Sequence, residues 1–262
     1  MAARLAWVDA GLRGGALYRP GTLDDAPVPA ALRPLRRWAL RHETAAYMLM
    51  LALCWSPYLI AFYPGTVCWD LGEMVAQFFG QRPMDTWHPV FLTWVIGGCV
   101  WLGRLVGSDN LGAALYMLIQ TALMAFALSI VLRLMRALRL NRAARLAAAA
   151  FFALLPIWGG YAQFISKDTL YTSVLLLFTL CLIRLVLARE GRLSVQTGRE
   201  AAGLFVWGLL TCLMRSNGLY VILPTVVFAF SFVVRGRARL AVGGALAGAV
   251  ACALLFSHVL LP

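Results

Sequence analysis

Charged residues are scarce in this chain of 262 residues, where they make up 13% of the composition. A water-soluble domain contains about 25% charged and about 45–50% apolar residues. Here the apolar residues reach 62%, and the mean hydropathy is +0.79. This balance excludes a soluble globular domain, an extended disordered chain and a collagen-like fibre. It predicts an all-α polytopic membrane protein.

Lysine is nearly absent, because Lys167 stands alone beside 22 arginines. The resulting net charge of +12 is a pattern that nucleic-acid-binding proteins also show. In so apolar a chain, arginines retained in cytoplasmic loops are the simpler explanation. We therefore expect the lipid bilayer as a partner and no nucleic acid.

Paired cysteine motifs are also missing. Of the six cysteines, only Cys68 falls in a loop, and the chain has no CxxC motif and no Cys/His cluster. This excludes a disulfide framework and a zinc site. The start of the chain lacks a secretory signal pattern. Residues 1–43 are polar and rich in arginine instead, which predicts a cytoplasmic segment.

Eight segments are apolar enough to be considered as membrane spans, each of which needs about 20 residues. They cover roughly residues 44–62, 89–106, 111–132, 143–161, 169–188, 201–214, 218–234 and 240–260.

Arginine clusters decide which of these segments cross. Four clusters occur, within residues 33–41, 133–145, 184–199 and 235–239, and the positive-inside rule places all of them in the cytoplasm. Three apolar segments separate the first two clusters, so one of the three must not cross. Segment 89–106 opens at a proline and contains three glycines, and it is predicted to be an interfacial or re-entrant helix.

Seven spans remain in this topology, with residues 44–262 forming the transmembrane module. The N-terminus lies in the cytoplasm and the C-terminus lies outside the cell membrane. The cytoplasmic segments then carry a charge of +13 and the outer segments −1. Two interfacial helices are expected in the first outer loop.

The first outer loop carries several polar residues with helical spacing. Asp70, Glu73 and Gln77 share one face and apolar side chains occupy the other, which predicts an amphipathic interfacial helix. Asp70, in its first turn, fits a general base or a cation ligand. Glu73 and Gln77 fit a solvated polar face equally well. His88, which precedes Pro89, either contacts a phosphate or caps the next helix.

Two later outer loops add cations. Lys167 offers a compact ammonium to a phosphate, or it forms a structural Lys–Asp ion pair. Asp168 opens the next helix, and the helix dipole alone also explains an acid at that position. Arg215 departs from the positive-inside trend, which suits phosphate recognition or a snorkelling side chain. Asn217 forms a turn with the following glycine. Acids and cations on one face suit a pocket for a lipid-linked phosphate.

The order of short motifs supports a family resemblance. The strings YPGTVCWD from Tyr63, HPVFLTW from His88, ISKD from Ile165 and RSNG from Arg215 resemble the N-terminal module of the GT-C superfamily of integral-membrane glycosyltransferases, and more specifically a bacterial membrane family of this type. The resemblance covers roughly residues 40–262. It implies seven spans, with interfacial helices in the first outer loop.

The resemblance also implies a function. A sugar would pass from a polyprenyl-phosphate-linked donor to a glycan or protein acceptor at the extracytoplasmic face. Asp70 matches the first-loop catalytic aspartate of the family, as base or acceptor-orienting group, and Asp168 matches the second-loop acid. A second acid does not follow Asp70 directly, so Glu73, one turn later, joins the catalytic candidates. The C-terminal outer domain of many such enzymes does not follow either.

The remaining candidates would bind substrate. Lys167 and Arg215 would hold the phosphate, with His88, Gln77 and Asn217 beside them. Asp70 and Asp168 could also bind a divalent cation.

An alternative function is non-catalytic: a binder or flippase for lipid-linked sugars, or an assembly subunit. A secondary transporter is disfavoured because the chain shows no second inverted half and few ionisable residues at mid-span.

Overall fold

The computed structural model describes residues 29–85, 87–215, 217–229, 231, 236 and 238–260, so part of the expected cytoplasmic segment 1–43 lies outside the described residues. The described chain is almost entirely helical, which confirms the all-α prediction. A 3-10 turn at Ala30–Leu32 leads into helices α1 (Arg33–Arg41), α2 (Glu43–Ala61), α3 (Trp69–Phe78), α4 (Val90–Leu105), α5 (Asp109–Ala137), α6 (Arg142–Leu154), α7 (Pro156–Gln163), α8 (Lys167–Arg189), α9 (Thr197–Met214), α10 (Gly218–Phe228) and α11 (Ala238–Leu260). Two short strands, β1 (Thr66–Val67) and β2 (Phe164–Ile165), complete the described elements.

Four of these helices are long and apolar enough to cross a membrane, judged by length and composition: α2, α5, α8 and α11. A fifth span results if α6 and α7 count together, although they are bent by 46°. The chain therefore has the helices of a membrane protein, with four or five candidate spans among the described residues.

The expectation of seven spans needs correction in two places. The predicted span 143–161 is broken at Pro156, because a proline inside a helix removes a backbone hydrogen bond and clashes with the preceding turn. Helix α9 begins four residues before the predicted span 201–214, and Arg199 and Glu200 in its first turn lower its hydropathy. The predicted span 218–234 is described as an α-helix over Gly218–Phe228, and most of its remainder lies outside the described residues.

Helix α4 agrees with the prediction that segment 89–106 does not cross by itself. It has 16 residues and packs beside the first part of the 29-residue helix α5, in a core that includes Ile96, Tyr116 and Met117. The two helices approach each other closely at their glycines, because a Cβ at Gly103 would collide with the backbone of Gly112. The remainder of α5 packs against α2.

Helices α8, α9 and α11 form a second packed group. Phe178, Leu204 and Leu246, one from each helix, are each at most 1% exposed and share one apolar cluster. Helix α8 also contacts α5, so it joins the two halves of the bundle.

Two loops distant in sequence are joined by the short strands. β1 pairs in parallel with β2, with Thr66 opposite Phe164, and the Thr66 N–H donates to Oε1 of Gln163 at 2.9 Å. From α5, the buried Gln120 amide donates to the carbonyls of Ala162 (3.0 Å) and Phe164 (2.8 Å). The second loop is thus attached both to the first loop and to the central helix.

Candidate functional site

Three loops meet at one end of the helical bundle, here named the loop end. The first lies between α2 and α4 and contains α3, the second precedes α8, and the third joins α9 to α10. Their charged side chains form two ion pairs, one between the first and second loops and one between the second and third. These pairs bring together Asp70, Lys167, Asp168 and Arg215, four of the residues that the sequence predicted to share one face.

The first ion pair joins Lys167 to Asp70, whose Nζ and Oδ2 atoms lie 2.7 Å apart. The lysine side chain is 19% exposed and the aspartate side chain 41%. The hydrogen bond from Lys167 holds the pKa of Asp70 below its ordinary value of 3.8, although partial desolvation opposes this, and the nearby His88 adds to the lowering. Asp70 is therefore an ionised carboxylate at neutral pH.

The alternative of a structural Lys–Asp ion pair is therefore present, with Asp70 as the partner of Lys167 and not the adjacent Asp168. Consecutive residues of a helix point about 100° apart and do not face each other. Lys167 begins α8 and points to the first loop, whereas Asp168 points to the third loop. Lys167 and Asp168 are adjacent in sequence but thus form ion pairs with two different loops.

The second ion pair joins Arg215 to Asp168 at 2.7 Å, with side chains 42% and 53% exposed. The guanidinium of Arg215 also lies 5.5 Å from the ring centroid of Tyr171, one turn further along α8. Arg215 therefore has a carboxylate and an aromatic ring as partners rather than extending alone as a snorkelling side chain. Asn217 precedes α10 without a side-chain cap, and the structure shows no contact of it with either pair.

His88 and Gln77 are buried, with 6% and 5% exposure. The expectation of a solvated face is wrong for Gln77, because its side chain is buried and lies close enough to Asp85, in the loop after α3, to help lower the pKa of that carboxyl. Asp85 Oδ1 also accepts the N–H groups of Trp87 and His88, both at 3.1 Å. Desolvation acts to raise the pKa of Asp85, but these hydrogen bonds outweigh it and the pKa lies below 3.8.

This arrangement fixes the position of His88 next to Asp70. His88 does not cap α4, since the capping position is Pro89 and carries no side-chain cap. Its Nδ1 atom and the Oε1 atom of Gln77 are both buried and lack a hydrogen-bond partner in the described structure. Buried polar atoms of this kind are ordinarily satisfied, so a water or a ligand atom would complete them.

Glu73 stands apart from the two ion pairs. Its carboxylate pairs with Arg82 in the same loop, with side chains 18% and 58% exposed for Glu73 and Arg82. This contact holds the loop against α3. The structure thus places Glu73 in a loop-stabilising contact and does not bring it to Lys167.

An apolar cavity of about 480 Å³ opens beside the second ion pair. It lies between α5, α6, α7 and α8, and its lining runs along α8 from Asp168 to Leu176, which is about 12 Å of helix rise. Leu128, Phe151 and Trp158 line it from the other helices. The cavity is therefore a slot between helices, with the carboxylate of Asp168 at one end and Arg215 paired to that carboxylate.

A metal centre finds no support in the described residues, which contain no group of three or more His, Cys, Asp and Glu side chains able to hold an ion. Asp70 and Asp168, considered above as cation ligands, bind Lys167 and Arg215 instead.

The opposite end of the bundle is strongly basic. Glu43, at the start of α2, pairs with both Arg133 and Arg136 near the end of α5. This places the beginning of α2 and the arginine-rich turn after α5 at the same end, as the charge pattern predicted. The two ends therefore differ in chemistry: arginines at one, mixed acids and cations at the other.

Sequence reasoning missed Asp85, Tyr171 and the cavity. The sequence did contain an indication of the role of Asp85, because an aspartate three residues before His88 is a typical hydrogen-bonding turn residue. Tyr171 and the cavity had no such indication, since Tyr171 depends on the position of Arg215 beside α8 and the cavity depends on which helices pack around α8.

Comparison with known proteins adds a family but no activity. Residues 81–260 match the sequence model of DUF6020, a family of unknown function. No match was found among curated proteins or solved structures. The matched range covers more than two thirds of the chain and includes His88, both residues of the second ion pair and Lys167, but not Asp70. The chain belongs to this family.

Proposed function

For this member of the DUF6020 family, we propose a GT-C-type membrane glycosyltransferase that takes a sugar from a polyprenyl-phosphate-linked donor and passes it to an acceptor at the extracytoplasmic face. The observation that carries the proposal is the continuity of the apolar cavity with the Asp168–Arg215 pair. One molecule with an apolar tail and an anionic head would match both parts at once.

The cavity suits an isoprenoid tail because it is apolar and is enclosed by helices that have membrane-span character. Leu128 and Leu176 contribute to its lining well inside the bundle, whereas Asp168 lies at the loop end. A tail entering between α5 and α8 would bring its head group to the two ion pairs. A water-soluble sugar nucleotide has no apolar tail that would fill this cavity.

The cations suit a phosphate. Arg215 is 42% exposed and bonded to a carboxylate, so a phosphate can replace Asp168 as its partner at little desolvation cost. Lys167, one residue before Asp168, would supply a second positive charge. Leaving-group charge on the lipid phosphate would then be stabilised by groups already in position.

Asp70 would act on the acceptor. Its carboxylate is ionised and partly exposed next to the phosphate-binding lysine, so it can accept a hydrogen bond from an acceptor hydroxyl. While Lys167 holds it, Asp70 is a weak base, which favours orientation of the acceptor. Transfer of Lys167 to the incoming phosphate would raise the proton affinity of Asp70 and make it a better base.

A non-catalytic binder or flippase for lipid-linked sugars is the second candidate. The observation that favours it is that both acids are already paired with cations in the structure. Such a protein would bind the lipid through Arg215 and show no dependence of sugar release on Asp70.

The test uses the full chain in lipid nanodiscs with a polyprenyl-phosphate-linked monosaccharide labelled in the sugar. Label leaving the lipid phase would be followed over time for wild type, Asp70→Asn and Arg215→Gln. We expect Asp70→Asn to slow sugar release by about 10²–10⁴-fold, the usual contribution of a positioned acid or base. Arg215→Gln should weaken lipid binding.

The matched control is Asp109→Asn. Asp109 is an exposed carboxylate that pairs with Arg104 at 2.7 Å, and it lies outside the two ion pairs of the site. Its variant should release sugar at the wild-type rate. Equal rates for Asp70→Asn and wild type would contradict the catalytic role. Lipid binding without any sugar release would favour the binder.

A further inference from the structure

Helix α1 has a strongly one-sided distribution of charge. Its sequence is RPLRRWALR, with four arginines at positions 33, 36, 37 and 41 and no acid. At 3.6 residues per turn the arginines fall within an arc of about 140°, whereas Leu35 and Trp38 lie on the other side. This is the pattern of a helix that lies in a membrane interface.

The apolar side of α1 is not covered by the described protein. None of the helix residues is buried. Leu35 is 60% exposed, Trp38 is 40% exposed and the preceding Leu32 is 50% exposed. Two leucines and a tryptophan on one face of a short helix form a surface that water solvates poorly.

The position of α1 along the chain places it at a membrane boundary. His42, with φ −121° and ψ 53°, interrupts the helix, and the candidate span α2 begins at the next residue, Glu43. Trp38 therefore lies within two helical turns of the first span. Tryptophan is enriched at this depth because its ring favours the headgroup region.

Three arginines of α1, Arg33, Arg37 and Arg41, form no ion pair with an acid among the described residues. Glu43, two residues after Arg41, already pairs with Arg133 and Arg136. The turn after α5, at the same end of the bundle, is itself rich in arginine. Arg33, Arg37 and Arg41 thus present a positive charge that an anionic membrane surface would neutralise.

We propose that α1 binds the anionic phospholipid headgroups of the leaflet next to the start of α2. Leu35 and Trp38 enter the acyl boundary, and Arg33, Arg37 and Arg41 contact lipid phosphates. This inference is independent of the proposed transferase activity, because it concerns the other end of the bundle.

The test is hydrogen exchange of the α1 backbone amides in the full chain. The protein is placed in nanodiscs of phosphatidylcholine alone or of phosphatidylcholine mixed with phosphatidylglycerol. We expect exchange of residues 36–41 to be about tenfold or more slower in the anionic bilayer, given several arginines near the surface. The difference should shrink as salt is raised, because salt screens exposed charges.

Two matched variants separate charge from fold. Replacing Arg33, Arg37 and Arg41 by glutamine should remove the difference between the two bilayers, whereas replacing them by lysine should retain it. The amides of α8 serve as an internal reference and should exchange equally in both bilayers.

Three outcomes would overturn the inference. One is equal exchange of α1 in the two bilayers, and another is a lipid-dependent difference that survives the glutamine replacements. The third is protection that is independent of lipid charge and disappears when residues 1–28 are deleted, which would identify the chain itself as the cover of α1.

Discussion

Packing of α3 on α4 rests on a glycine, and replacing it should displace the helix that carries Asp70. A Cβ added at Gly97 would overlap the ring of Phe78, the last residue of α3, whereas a Cβ at the adjacent Gly98 would meet nothing within 4 Å. Gly97→Ala and Gly98→Ala are therefore the same chemical change in the same helix. The added methyl group would overlap Phe78 at position 97 and would enter open space at position 98.

The expected magnitudes follow from two opposing effects. Alanine in place of glycine favours a helix interior by about 1 kcal/mol, and this gain applies to both variants. Overpacking costs about 1–3 kcal/mol, and this applies only to Gly97→Ala. The difference in unfolding free energy between the two variants should therefore be about 1–3 kcal/mol, with Gly98→Ala as stable as wild type or more so.

Thermal unfolding in detergent, followed by tryptophan fluorescence, would measure this difference. Trp55 is fully buried and should report the loss of packing. For a chain of this size, 1 kcal/mol corresponds to about 2–4 °C in Tm. Equal Tm values for Gly97→Ala and Gly98→Ala would show that α3 does not pack against α4 as described.

Two further predictions concern the polar contacts of the loop end. Lys167→Met should raise the pKa of Asp70 toward 3.8. The lowered pKa stabilises the folded state fully above 3.8, and this contribution is lost as the pH falls through the lower pKa of the folded protein. The variant's loss of up to about 1 kcal/mol should therefore be present at pH 7 and vanish in stronger acid, in unfolding measured across pH. Gln120→Leu should cost about 1–3 kcal/mol by leaving buried carbonyls of the second loop without their donor, and a Tm equal to wild type would argue against that attachment.

Local structure was predictable where one helix decides it. The helical spacing of Asp70, Glu73 and Gln77 predicted α3, and the helix places Asp70 in its first turn. The prediction of a polar face on α3 was only partly right. Gln77 is buried because a loop later in the chain returns to cover it, and no periodicity within α3 could predict this contact.

Topology was predictable from charge more reliably than from span counting. The arginine pattern correctly placed the start of α2 and the end of α5 together, as the contacts of Glu43 with Arg133 and Arg136 show. The number of spans was overestimated. Apolar composition alone does not register the break at Pro156.

The sequence by itself determined that the chain is helical and apolar, that arginines cluster near the start of α2 and the end of α5, and that Asp70, Lys167 and Arg215 fall between the long apolar segments. Composition and periodicity suffice for these features because each depends on residues close together in the chain. The tertiary structure alone decided the partners: Lys167 with Asp70, and Asp168 with Arg215. Pairing depends on which helix faces meet. The packing of α8 against elements distant in the sequence sets these faces, and the residues adjacent to each charged group in the sequence do not reveal that packing.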